Sequence, residues 1–423
     1  MARECDQDND AGMTRRVALT TGKRQRLIFG SDESLTPPSL SSSRQQNQNG
    51  DQQPLAVRET NVPSHDTPIL PQELIEEILS RLPVKILVKF RCVCKSWKSL
   101  ISDPQFIKDH LRISAMDTKF ANHSIILTTA RHKFRIQSYS VSSVFNNSSA
   151  RVVELKSRRC YEWMCGSCNG ILCFAIKQDS VRLWNPSIRV SKKLPCLDNG
   201  VRKGSFTVFG FGYDHLNDDY KVVAVFCYLD TGNSYKNVVK VCTLRTNSWK
   251  RIGEFPYRFP YDESGKFVPG SLNWVANSNP GSGSLCAIVS LDLGKEIYRE
   301  ILQPDCKEAL DLKPTLGVLR DCLCISYDDS SASHTVVWLM NQYGVKDSWT
   351  KLLTIPHLRS PEYVELEHNP LCISENGDVL MQLESGVVLY NSRNNTFKYP
   401  EIENYNIWLD VEVYVESLVS PRY

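Results

Sequence analysis

From residue 70 to residue 111 the apolar positions keep a helical period. At about 100° per residue, Leu74, Ile75, Ile78, Leu79 and Leu82 fall within an arc of roughly 140°, one wide apolar stripe. Pro71 suits a first-turn position, and Glu73, Glu76 and Glu77 set negative charge toward the positive end of the helix dipole. Pro83 cannot continue a helix without losing a hydrogen bond, so Leu82-Pro83-Val84 is expected to turn a corner into a second run that carries Ile86, Leu87, Phe90 and Val93. A third run starts near Cys94, carries Trp97, Leu100 and Ile101, and is stopped by Asp103-Pro104. Three helices in about 40 residues lie near the size below which a unit needs a metal, disulfides or a partner. The surplus of apolar surface favours a partner.

Beyond Leu111 the period changes to short β-branched and aromatic runs broken by Asn, Asp, Gly, Ser and Pro. Ser124–Leu127, Phe206–Phe209, Lys221–Val225, Val238–Val241 and Thr335–Leu339 read as strands. A unit of strand, polar turn and strand recurs, clearest at Leu183–Arg189, Cys242–Ile252, Ser290–Tyr298, Trp338–Trp349 and Leu389–Phe397. With anchors at Val152, Ser191, Trp249, Tyr298, Trp349 and Phe397, the successive spacings are 39, 58, 49, 51 and 48 residues. That period fits four-stranded propeller blades, whose faces are buried only by neighbouring blades. The expected fold class is mainly β with an N-terminal α unit: three helices, then a β-propeller of about six blades, or seven if Phe120–Tyr139 contributes strands separately. Val411–Val415 alternates as a strand that closes a ring would. An ordinary pair of β-sandwiches is the alternative.

Residues 1–65 hold few large apolar residues and a Ser/Gln/Asn-rich stretch from Ser39 to Gln53, a composition expected to stay disordered. The organisation read from the chain is therefore a tail over 1–65, a helical domain over 66–112 and a β domain over 113–423. The Lys23-Arg24-Gln25-Arg26 cluster is either a nuclear localisation element or a solvated charge run.

Composition narrows the class. Of 423 residues, 41% are hydrophobic and 23% charged, an ordinary globular balance, and the net charge of +3 carries no nucleic-acid footprint. No stretch approaches the run of about 18 apolar residues that a membrane helix needs, and the N-terminus lacks a secretory h-region. The expected location is cytoplasm, nucleus or both. The 15 cysteines are odd in number and many sit in apolar runs, which favours reduced thiols over a disulfide framework. Cys165 and Cys168 have the C-x-x-C spacing, with Cys160 and Cys173 nearby, but no second C-x-x-C follows and no metal is expected.

The simplest catalytic signatures are missing: there is no G-x-x-x-x-G-K-[ST] loop, H-E-x-x-H pair or G-x-S-x-G elbow. Gly166-Ser167-Cys168-Asn169-Gly170 mimics an elbow with a cysteine, yet a strand-like run follows it where an elbow needs a helix. Adjacent Asp218 and Asp219 suit turn capping better than acid–base work. Loops on a rigid scaffold carry recognition, and Phe255, Tyr257, Arg258, Phe259 and Tyr261 combine aromatics with an arginine, the types enriched in binding hot spots. Packing between blades is the alternative role for this segment.

Leu70-Pro71, Glu73-Leu74, Ile78-Leu79, Leu82-Pro83, Leu87, Phe90-Arg91, Val93-Cys94-Lys95, Trp97 and Asp103-Pro104-Gln105-Phe106 resemble the F-box signature. The resemblance implies docking on a Skp-type adaptor that leads to a cullin scaffold, with Leu70, Pro71, Leu74, Ile78, Leu82, Leu87, Val93 and Trp97 forming or supporting the docking surface. Lys85, Lys89, Arg91, Lys95 and Lys98 would steer an acidic adaptor.

Ser167–Cys173, Leu183–Ser187, Phe211–Asp214, Asp218–Val223, Gly270–Trp274 and Tyr414–Leu418 are similar to the F-box-associated interaction domain of a large plant family. Its members are often labelled kelch-repeat, although this chain has no Gly-Gly pair and no Trp-Asp dipeptide. Together the resemblances imply a non-catalytic substrate receptor of an SCF-type ubiquitin ligase, without cofactor, binding a client protein for proteasomal degradation. The alternatives are a receptor that sequesters or localises its client, and a propeller enzyme with a helical appendage.

Overall fold

The structure, a computed structural model, describes residues 70–130, 134–146, 152–158, 162–198, 200, 202, 204–261, 264–277, 286–305, 314–329, 333–357, 369–383, 386–400, 402 and 410–422. The expected tail over 1–65, the Lys23–Arg26 cluster and Cys160 lie outside these residues.

Four helices open the described chain: α1 (Gln72–Ser80), α2 (Val84–Phe90), α3 (Lys95–Ile101) and α4 (Pro104–Ala115). The expectation of three is corrected at Asp103-Pro104, which ends one helix and begins another. The Asp103 carboxylate accepts the Gln105 and Phe106 N–H groups at 2.8 and 3.1 Å, and Pro104 occupies the first turn, where a missing N–H costs nothing. Leu79, Val84, Leu87, Ile101 and Phe106 form the helical core.

The β region is built from β1 (His123–Ala130), β2 (Phe134–Ser140), β3 (Val153–Arg158), β4 (Trp163–Cys168), β5 (Ile171–Lys177), β6 (Ser180–Asn185), β7 (Val190–Lys193), β8 (Phe206–Asp214), β9 (Asp219–Leu229), β10 (Tyr235–Thr243), β11 (Ser248–Gly253) and β12 (Ser264–Val268). It continues with β13 (Ser271–Asn277), β14 (Cys286–Asp292), β15 (Ile297–Ile301), β16 (Thr315–Leu319), β17 (Cys322–Asp329), β18 (His334–Met340), β19 (Trp349–Pro356), β20 (Asn369–Ile373), β21 (Asp378–Leu383), β22 (Gly386–Asn391), β23 (Thr396–Lys398) and β24 (Asp410–Val415). A short helix, α5 (Val141–Phe145), follows β2.

The arrangement is propeller-like, with a correction to the blade count. Four discrete four-stranded sheets are present, β24-β1-β2-β3, β4–β7, β16–β19 and β20–β23, and not six. The other eight strands form one continuous sheet, because β8 and β12 pair in parallel at Phe209–Ser264 and Gly210–Gly265. Two glycines make that seam possible: a Cβ on Gly265 would lie 2.6 Å from the Trp274 ring, and one on Gly210 would lie 2.9 Å from it. The anchor residues do mark outer strands. Ser191, Trp249, Tyr298, Trp349 and Phe397 lie in β7, β11, β15, β19 and β23, and Val152 immediately precedes β3. The repeat therefore counts outer strands, two of which are the edges of one sheet. At Ser191 the missing bulk is supplied by its cross-strand partner Trp184, which is buried.

Closure uses the two ends of the β region. β24 is the inner strand of the first sheet and pairs antiparallel with β1, Ile125 facing Val413 and Leu127 facing Val411, as the alternation of Val411–Val415 predicts.

Candidate functional site

Helix α1 presents three faces. Leu79 and Ile75 turn toward the helical core, and Gln72, Glu73, Glu76, Glu77 and Ser80 line a groove shared with α3 and α4. Leu74 and Ile78, successive at i and i+4, face outward and are 46% and 51% exposed. The single stripe read from the sequence thus divides between an inward and an outward surface. Leu70 and Val93 are 54% and 61% exposed, and Pro71 is exposed as well. Leu82 and Trp97 are half-buried, with the Trp97 ring 5.2 Å from Phe90.

Of the two roles expected, forming or supporting the docking surface, Leu87 is placed for the second. It is fully buried among the core residues of the helical unit, so it supports the surface from behind and is not available to touch a partner. Cys94 begins α3, its sulfur accepting the Trp97 N–H at 3.5 Å. The Ser96 hydroxyl, 3.1 Å away, and that N–H lower the Cys94 thiol below its ordinary value.

The opposite side of this unit is bolted to the β region. Leu418, in the segment after β24, is part of the helical core, and Ile188 of the β6–β7 turn packs against it. Lys108 of α4 pairs with Asp218 in the β8–β9 turn at 3.0 Å, and the Thr118 hydroxyl donates to Glu375 in the β20–β21 turn. His110 is buried with its Nε2 donating to the Leu82 carbonyl at 2.8 Å, which ties α4 to the α1–α2 corner.

Several marks of the sequence converge behind Leu418. Asn169 and Gly170 both have positive φ, +52° and +79°, which makes the β4–β5 connection a two-residue hairpin turn. A Cβ on Gly170 would stand 2.6 Å from the Val415 carbonyl, so only glycine lets the C-terminal segment pass this closely. Ser417 Oγ donates to the Asn169 carbonyl at 2.7 Å, and Asn185 Nδ2 donates to the Ser417 and Val419 carbonyls at 2.9 and 2.8 Å. Asn169 Nδ2 in turn donates to Tyr220 Oη at 3.0 Å.

The aromatic segment between β11 and β12 is mostly packing. Phe255 is 3% exposed and meets Trp274 and Tyr298 edge to face, so its candidacy as a client contact is corrected. Tyr257 is half-buried and donates its hydroxyl to Glu300 at 2.6 Å. Phe259 is half-buried between Phe206, Tyr235 and Tyr261. Arg258 alone of the set is exposed, its guanidinium 5.4 Å from the Tyr235 ring centre and 5.8 Å from that of Phe259. Sequence reasoning missed what holds the segment: Asn237 Oδ1 accepts the Phe255 N–H at 2.6 Å, and its Nδ2 donates to the Phe255 and Tyr257 carbonyls at 3.2 and 3.0 Å. Nothing local in the sequence marks Asn237 for that task.

The candidates for chemistry resolve into structural roles. Cys168 is buried beside the hairpin turn and burial pushes its thiol well up, the reverse of an activated nucleophile. Asp219 accepts the Arg245 N–H at 3.2 Å, while Asp218 takes the Tyr213 hydroxyl and Lys108. Among the described residues no group of three His, Cys, Asp or Glu side chains is placed to hold a metal ion.

Two family profiles match the chain: the F-box domain over residues 68–109 and the F-box associated beta propeller domain over residues 111–421. An F-box/kelch-repeat protein of Arabidopsis thaliana is 36% identical over 365 residues, covering 84% of this chain and 96% of that protein. The F-box protein CPR1 of Arabidopsis thaliana is 30% identical over 375 residues, covering 83% of this chain and 88% of its own. With the profile match spanning most of the chain and relatives aligned nearly end to end, this chain belongs to the plant F-box proteins that carry an F-box-associated β-propeller domain.

Proposed function

We propose that this protein is the substrate-recognition subunit of an SCF-type ubiquitin ligase, docking on a Skp-type adaptor and, through it, a cullin scaffold, while the propeller-like region holds a client protein. The observation that carries this reading is the outward apolar pair Leu74 and Ile78 on α1, with Leu70, Pro71 and Val93 also exposed. Large apolar anchors at i and i+4, left in water by a unit whose core is already filled, match a helix that seats in a partner's groove. The contribution to the reaction is proximity: a client held on a body attached to the ligase presents its lysines at a raised local concentration, with no catalytic group from this chain. The attachment through Leu418 and Lys108 supports this, because it makes the spacing between docking surface and client a fixed distance.

Co-purification with the adaptor tests the reading. Leu74→Asp combined with Ile78→Asp is expected to abolish adaptor capture without altering the thermal unfolding of the β region; retained capture sinks the proposal. Client half-life with and without proteasome inhibition separates degradation from sequestration, since a sequestered client keeps its half-life when the proteasome is blocked.

A further inference from the structure

Strand β9 runs 11 residues from Asp219 to Leu229. At about 3.3 Å per residue its ends are roughly 35 Å apart. At one end Asp218 pairs with Lys108 of the F-box unit. At the other, Leu229 faces Tyr235 across the β9–β10 hairpin, and Tyr235 carries Phe259 at 5.1 Å with Arg258 above both rings. Tyr235, Phe259 and Arg258 thus form a shelf about one strand length from the Lys108–Asp218 pair, at the end of β9 away from the F-box unit.

The shelf is built in advance. Pro256 and Pro260 fix backbone angles on either side of Arg258, and Asn237 clamps the segment between them, so little ordering remains to be done on binding. Among the described residues the Arg258 guanidinium contacts rings and no carboxylate. Among the described residues the acids of this region have other partners: Glu300 accepts from Tyr257, Asp230 Oδ1 accepts the Gly232 and Ser234 N–H groups, each at 2.9 Å, and Glu254 pairs with Arg251 at 3.6 Å. Lys236 follows Tyr235 in the strand and pairs with Tyr228, so it points to the opposite face. One exposed guanidinium on an aromatic bed, with no second cation of the hairpin beside it, matches a carboxylate, which a single fork binds in two parallel hydrogen bonds. A phosphate dianion calls for more positive charge than that.

We propose that Arg258, held over Tyr235 and Phe259, is the anchor point for a segment of the client protein rich in Asp and Glu. The inference rests on the receptor reading above and deepens it by naming the end of the sheet and the chemistry of the occupant.

The test measures binding of a fluorescein-labelled Asp/Glu peptide to the full chain by anisotropy, beside the matching Asn/Gln peptide and a phosphoserine peptide that is otherwise neutral. The Asp/Glu peptide is expected to bind, the Asn/Gln peptide not, and Arg258→Ala is expected to weaken binding about ten-fold, the loss of one charge-assisted contact. Arg258→Lys should fall between the two. Unchanged affinity in Arg258→Ala overturns the proposal, as does binding of the phosphoserine peptide alone. Equal binding of the Asn/Gln peptide overturns it too. Lys89→Glu with Lys95→Glu should leave affinity intact; if it abolishes binding, the acidic peptide is read by the F-box and the proposal fails. Adaptor capture is measured on the unsubstituted chain and on Arg258→Ala, not on the lysine variant, whose substituted residues steer the adaptor. Capture without peptide binding removes only this inference, and peptide binding without capture removes the receptor role.

Discussion

Asn185 and Ser417 meet across 232 residues of sequence, the Asn185 amide donating to the Ser417 carbonyl at 2.9 Å and also to the Val419 carbonyl at 2.8 Å. Asn185 is fully buried, so both carbonyls depend on it for the partner that water would otherwise supply. Asn185→Leu keeps the volume but orphans them. The expected cost is about 2 to 6 kcal/mol, the sum of two desolvated acceptors, read as a lower urea midpoint with an unchanged m-value.

Gly170 and Gly200 both sit at positive φ, +79° and +64°, but only Gly170 has neighbours that a Cβ would strike. Gly200→Ala should cost about 1 kcal/mol for the left-handed backbone alone. Gly170→Ala adds the displacement of Ser417 and Val415 and should lower the melting temperature clearly further. Equal shifts in the two variants would contradict the close passage of the C-terminal segment.

Leu87 and Leu74 separate support from docking. Leu87→Ala empties a filled core and should cost about 2 to 5 kcal/mol of stability. Leu74→Ala removes an exposed side chain, so its stability should change by no more than about 0.5 kcal/mol while adaptor affinity falls. Calorimetry paired with an adaptor-binding titration distinguishes them.

His110 and His123 are buried, and burial lowers both below the ordinary imidazole value of 6.5; for His123 the nearby Asp117 charge opposes the shift only in part. The unfolded chain takes up protons at each ring before the folded chain does. Stability is therefore unaffected above the unfolded value and falls as pH drops below about 6.5 toward the depressed folded values. His110→Gln, which keeps a donor toward the Leu82 carbonyl, should flatten the loss between pH 6.5 and pH 5, measured by urea unfolding at each pH.

Two lysines illustrate opposite regimes. Lys221 is buried and meets Asp214 at 3.0 Å, Glu296 at 3.2 Å and the Leu293 carbonyl at 2.5 Å. Burial alone would raise the Asp214 carboxyl, but Asn217 and Lys221 hold it below its ordinary value. Lys221→Met strands that charge and should cost about 3 to 5 kcal/mol. Lys108→Ala breaks an exposed pair with Asp218 and should cost less than about 1 kcal/mol, and less still in high salt.

What the sequence revealed follows from range. The Asn169-Gly170 turn, the outer-strand positions of Trp249, Tyr298, Trp349 and Phe397, and the apolar stripe of α1, though not its division into inward and outward pairs, are set by local period and turn chemistry. They were legible. The parallel contact of β8 with β12 involves only two residue pairs and depends on bare glycines meeting Trp274, a relation no window of sequence contains, so six outer strands were read as six blades. Asp103-Pro104 carries both a stop signal and a start signal, which hid α4. Phe255 and Arg258 are three residues apart and share one composition, yet one is core and the other exposed; Asn237, in a neighbouring strand, helps hold the segment in that arrangement.

β24 follows every other described strand along the chain, and the residues after it carry Leu418. The first sheet has no inner strand, and the helical core lacks one of its members, until residues 410–418 have left the ribosome. A chain that stops before residue 410 keeps the residues of α1 but not the packing beneath them. The helical unit at the start of the described chain is thereby seated by residues roughly 300 positions later, so its packing waits on synthesis of the β region.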